Sequence, residues 1–119
     1  MEQAYWPPVR PEDRIRAELA LTLVAASTGV PTRRMDERGR LTGAICRSRR
    51  LAIYLAYITF EWPMERVAHA FGMNRTSAAK ACRWVEDARD APALDEMLDR
   101  LESCARQALL TNGRKGLPA

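Results

Sequence analysis

The chain has 119 residues, enough for one domain with a substantial core and too few for two large ones. Apolar residues make up 47% and charged residues 29%, a globular balance that excludes a disordered tail. Nineteen Lys and Arg stand against fifteen Asp and Glu, and 17 of those cations are Arg, Lys80 and Lys115 being the two lysines. Such an arginine bias suits bidentate recognition of phosphate or guanine, and a GC-rich genome produces it as well.

Cys46, Cys82 and Cys104 lie 36 and 22 residues apart, an odd number without disulfide or metal-site spacing, which points to a reduced, cytosolic protein. Met1 to Arg10 carry Glu2 and two prolines where a signal peptide has a basic and then an apolar region. The longest apolar run, Leu51 to Phe60, covers about 15 Å as a helix, half of a bilayer core, so it reads as a buried helix and not a membrane span.

In chain order the pattern is helical throughout, with no period-2 strand signal. A first helix is expected from Pro11 to Thr28, with Glu12 and Asp13 in its first turn, Ile15, Leu19, Leu23 and Ala26 facing inward, and Gly29 ending it. A short helical turn follows at Thr32 to Arg38, then a loop bracketed by Gly39 and Gly43. Ile45 to Phe60 reads as the central helix, on the spacing of Leu51, Tyr54, Leu55 and Ile58.

Pro63 opens the next helix, which holds Val67, Ala70 and Phe71 inward and stops at Gly72. Asn74 is the N-cap of a helix with Ala78, Ala81, Cys82 and Val85 on its core face. Two helices joined by a short Gly-containing turn fit a helix-turn-helix. Asp90 and Pro92 open a last helix whose inner face is Leu94, Met97, Leu98, Leu101, Ala105 and Ala108. The expected organisation is an N-terminal arm over 1–10, a single domain over 11–110 and a frayed tail over 111–119.

Charge is polarised along the chain. Residues 33–50 hold seven Arg (33, 34, 38, 40, 47, 49 and 50) against Asp36 and Glu37, whereas residues 86–102 hold two Arg against seven acids. A basic loop beside a helix bearing Arg75, Lys80 and Arg83 has the footprint of a nucleic-acid reader, with the acidic last helix turned from the phosphates; a plain solvated surface is the other reading.

Three blocks, Arg47–Ala56 (RSRRLAIYLA), Glu65–Gly72 (ERVAHAFG) and Asn74–Cys82 (NRTSAAKAC), resemble the C-terminal DNA-binding domain of the chromosomal replication initiator DnaA. That family has a basic loop entering an R-P-R-Q-x-A-x-x-L helix, an A-F-G helix end and a D-H-T-T-V-x-x-A signature opening the recognition helix. The likeness runs from about Ala17 to Glu102 with block order and approximate spacing kept. It implies an all-α bundle of five to six helices containing a helix-turn-helix, of the DnaA reader-domain or Trp-repressor-like kind.

It further implies that Arg47, Arg49 and Arg50 lie in the basic loop, with Arg49 in a minor groove, and that Asn74, Arg75, Thr76 and Ser77 meet base edges in the major groove. Lys80 and Arg83 share that outward face. Asn74 stands where the family has Asp, Arg75 where it has His and Ser77 where it has a second Thr, and one residue is missing between Gly72 and Asn74. Asn prefers adenine and Arg prefers guanine, so these changes redirect base preference by about 1–3 kcal/mol each.

No G-x-x-x-x-G-K-[ST] segment exists, so the family's ATPase chemistry and nucleotide binding are not expected, and paired carboxylates or a nucleophilic triad are equally lacking. The function expected is non-enzymatic binding of double-stranded DNA on the nucleoid, regulating replication initiation or transcription, without metal or cofactor. The alternative is a protein-interaction regulator that captures DnaA or a DnaA-inactivating partner and binds DNA weakly.

Several single residues read both ways. Met64, Glu65 and Arg66 either approach a phosphate backbone or are ordinary surface. His69 reads as rim packing, Cys82, Trp62 and Phe71 as core, and Trp84 as partly buried under the last helix. Tyr5-Trp6-Pro7-Pro8 is an arm folded over an apolar gap or a docking peptide, and Leu109 and Leu110 end the last helix as tail packing or as a partner surface.

Overall fold

Residues 51–56 (LAIYLA) are buried without a break, so the helix that carries them, α3 (Gly43–Phe60), has no solvent stripe through its middle. A helix apolar on all sides must be wrapped, and the other helices wrap this one. They are α1 (Pro11–Thr28), α2 (Thr32–Met35), α4 (Met64–Ala70), α5 (Arg75–Ala88) and α6 (Pro92–Gly113), each in contact with α3. The structure, a computed structural model, describes residues 8–35 and 43–113, with side chains through Leu110; among these there are six helices and no strand. The all-α expectation holds. The arm at 1–7, Arg38, Arg40 and the Gly39 loop lie outside the described residues, and α6 runs past the boundary expected at 110.

The polar atoms inside α3 are handled locally. Thr59 donates its hydroxyl to the Leu55 carbonyl at 2.6 Å, a helical back-bond that removes a buried orphan. At the far end Glu61 turns the chain with φ 56°, and Phe60 and Trp62 meet with ring centroids 5.1 Å apart.

α1 does not bury the face its periodicity suggested. Ile15 is 61% exposed and Ala26 is exposed, while Asp13, Ala17, Ala20, Leu21 and Val24 turn inward. Residues 17–26 are apolar on two sides, so more than one inward stripe fits the spacing. The register is decided by Asp13, which is 4% exposed and takes two hydrogen bonds from Arg66 of α4, Nε at 3.0 Å and Nη2 at 2.7 Å. Small Ala17 and Ala20 then line up below it and let α1 sit close on the core.

Arg66 lies with its guanidinium 4.6 Å from the Trp62 ring centroid while it grips Asp13. Its hydrogen bonds outweigh the burial that would raise the Asp13 carboxyl, and hold that group below the ordinary carboxylate range. Arg66 is therefore a partly exposed brace whose guanidinium is engaged by Asp13 and Trp62. At the other end of α1, Gly29 closes the helix with φ 80°, donating its N–H to the Ala25 carbonyl at 2.8 Å.

The last helix buries Leu98, Leu101 and Ala105, with Leu94 and Met97 half-buried, as its spacing suggested. It is locked to α5 by Arg89, which follows the last residue of α5. That side chain donates to Asp95 Oδ1, Asp99 Oδ1 and Glu102 Oε2, each at 2.6 Å, and to the Tyr54 hydroxyl at 3.0 Å. Asp95, Asp99 and Glu102 recur at i, i+4 and i+7, so one edge of α6 converges on a single cation.

Two outcomes follow. Arg66→Ala leaves a buried carboxylate without its donors and should lower unfolding free energy by about 2 kcal/mol in urea titrations, less than a fully buried pair because Arg66 is 38% exposed. In the wild type the Asp13 contribution is complete above the ordinary Asp range and disappears as pH falls through its depressed value, so the Arg66→Ala deficit should shrink on acidification.

Candidate nucleic-acid interface

The joint between α4 and α5 is made by backbone geometry. Gly72, in the left-handed region with φ 69°, donates to the His69 carbonyl at 3.2 Å, and Met73 donates to the Ala68 carbonyl at 2.9 Å. These two bonds are the Schellman ending that a glycine after a helix favours, and they satisfy the otherwise orphaned carbonyls of α4. One residue later Asn74 starts α5: its backbone is extended and its Oδ1 accepts the Ser77 N–H at 2.8 Å. The C-cap Phe71 and the N-cap Asn74 are separated by two residues, Gly72 and Met73, so the direction of α5 leaving α4 is tightly defined.

α5 divides cleanly. Ala78, Ala81, Cys82 and Val85 are buried, as expected from their spacing, and Arg75, Thr76, Ser77, Lys80 and Arg83 are exposed. The exposed side is basic over its first three turns, and its acids, Glu86 and Asp87, come only at the C-terminal end. Cys82 belongs wholly to the core: burial, with Glu86 adding to it, pushes its thiol up to about 11.

The three arginines expected in a basic loop are instead in the first turns of α3, and they do three different things. Arg47 is exposed. Arg50 is half-buried with its guanidinium 4.8 Å from the Trp84 ring centroid, which places Trp84 against α3. Arg49 points inward: Nη1 donates to the Met35 carbonyl and Nη2 to the Phe71 carbonyl, both at 2.7 Å. In this arrangement the Arg49 guanidinium is engaged by two main-chain carbonyls instead of standing out from the surface. Met35 ends α2 and Phe71 caps α4, so its charge meets carbonyls at two helix ends, where a cation is favoured.

Asn74 likewise has an internal task, as the cap. The residues left facing outward as a group are Arg75, Thr76, Ser77, Lys80 and Arg83 on α5, with Arg47 on α3. Arg49 and Arg50 bring the start of α3 against Phe71 and Trp84, and so beside the α4–α5 joint. Met64 and Glu65 begin α4 without a side-chain cap, His69 is half-buried in its last turn, and Trp62 and Phe71 are buried as core.

Sequence reasoning missed the roles of Arg49, Arg66 and Arg89. Arg89 had a usable signal in the acids of α6 at helical spacing. Arg49 had none, since its acceptors are main-chain carbonyls 14 and 22 residues away. Among the described residues no His, Cys, Asp and Glu cluster is arranged to hold a metal ion, and no helix is long and apolar enough to cross a membrane.

No protein-family model matches the sequence, and no curated protein matches it. Arg49→Ala should uncover two helix-end carbonyls and lower stability by about 2 kcal/mol in chemical denaturation. Replacing the Gly72 αL residue by Ala should cost about 1 kcal/mol in the same assay.

Proposed function

We propose that this chain is a non-enzymatic double-stranded-DNA-binding protein in which α4 and α5 act as a helix-turn-helix and the exposed side of α5 enters the major groove. The observation that carries the reading is the two-sided character of α5: an apolar face in the core, and an exposed face with Arg75, Lys80 and Arg83 ahead of any acid. A groove-reading helix needs its outward side chains free of structural duty, and a duplex supplies one negative charge per about 1.7 Å of axis to attract them.

The rest of the charge pattern supports the same reading. Three of the acids that make α6 acidic share the single positive charge of Arg89, which offsets part of their repulsion of a polyanion. Arg47 serves as a phosphate contact, while Arg49 and Arg50 position the reader and do not read. The resemblance to the DnaA reader domain, with no phosphate-binding loop, makes regulation of replication initiation or of transcription on the nucleoid the role proposed.

Fluorescence anisotropy with a labelled DnaA-box duplex and a scrambled one, at low and physiological salt, tests this. Binding should weaken steeply with salt. Lys80→Ala should reduce the salt slope by about one phosphate contact, and Arg75→Ala should weaken binding at either salt. Undiminished affinity in both variants, or no binding by the wild type, overturns the proposal.

A further inference from the structure

Resting on the DNA-binding reading, the chemistry of the exposed α5 face goes further than binding as such: we infer that it selects guanine in the major groove, chiefly through Arg75 with Arg83 one site along, and that Asn74 takes no part in base choice. Each base pair offers the major groove a different set of donors and acceptors. Guanine alone presents two acceptors side by side, N7 and O6; adenine and cytosine present an exocyclic amino donor that needs an acceptor on the protein.

The acceptors on this face are nearly all committed or misplaced. To read adenine, Asn74 must accept from the base amino group with the same Oδ1 that accepts the Ser77 N–H at 2.8 Å. That oxygen has a second lone pair, but the capping bond fixes the amide against the first turn of α5, and turning it to present both Oδ1 and Nδ2 to an adenine edge gives up the cap. Glu86 and Asp87, which could accept from cytosine, lie at the far end of the helix from Arg75. Thr76 and Ser77 hydroxyls are short and discriminate little between bases.

What remains long enough to reach a base edge is donor-only: Arg75, Lys80 and Arg83, all exposed. The planar guanidinium fork matches N7 and O6 together, which a lysine ammonium cannot do. Arg75 and Arg83 are eight residues apart, about 12 Å of helical rise, which spans three to four base-pair steps. Arg49 and Arg50 do not add to the set, since one holds two carbonyls and the other lies over Trp84.

The test is selection by the full-length protein from a duplex library with a randomised core, followed by anisotropy on the selected duplex. Guanine should be enriched at two positions three or four pairs apart. Replacing those guanines with 7-deazaguanine, which pairs normally but lacks the N7 acceptor, should weaken binding about tenfold, within the range of one bidentate contact. Inosine, which alters only the minor-groove edge, should leave affinity in place.

Arg75→Lys should bind the library with a similar salt dependence and lose guanine at one position. Asn74→Ser, which keeps a capping oxygen, should leave the selected guanines where they are. Salt-sensitive binding with no guanine enrichment, sensitivity to inosine in place of 7-deazaguanine, or a new selected sequence in Asn74→Ser overturns the inference and leaves the DNA-binding reading standing. No binding to any duplex removes both.

Discussion

Two helix ends converge on one guanidinium. Arg49 donates to the last carbonyl of α2 and to the capping carbonyl of α4, and it does so from α3, the helix that every other helix touches. Each of those carbonyls would otherwise face a partly dry interior without a hydrogen. By satisfying both, Arg49 sets where α4 ends, and the Schellman turn at Gly72 and the Asn74 cap then carry that position into α5. The orientation of the exposed basic face is thus tied to a half-buried charge behind it.

The same device appears three times. Arg49 joins α2, α3 and α4; Arg66 joins α1 and α4 through Asp13; Arg89 joins the end of α5 to α3 and α6 through Tyr54 and three acids. Two of the three also lie over an aromatic ring, Arg66 on Trp62 and Arg89 on Tyr54, and Arg50 stacks on Trp84 without a bridging role. Arginine suits this because a planar fork can hold acceptors on two elements while its face covers apolar surface. The small helices here bury many alanines, and alanine cores are thin, so polar bridges supply positional definition that bulky side chains supply elsewhere.

This division explains what could be read along the chain. Where burial is apolar and one-sided the spacing was sufficient: the core face of α5, the stop at Gly72, the cap at Asn74 and the inner face of α6 all follow from residue type and period. The α1 register was hidden because its deciding residue, Asp13, is charged and so does not count as core until Arg66 is seen beside it. Arg47, Arg49 and Arg50 form one cluster in sequence and separate into three environments in space, because successive helical positions point about 100° apart. No local pattern distinguishes the arginine that turns in from the one that stays out.

The α4–α5 joint has a consequence for how this protein can diverge. Its geometry is written in main-chain hydrogen bonds at Gly72 and Met73 and in one capping oxygen, with the packing carried by Ala78, Ala81, Cys82 and Val85. None of these atoms belongs to the side chains at 75, 76, 80 or 83. On the proposed DNA-binding reading, those four positions form an interchangeable keypad on a fixed frame, so substitution there would change the target with little loss of fold, and one backbone could serve many distinct address codes.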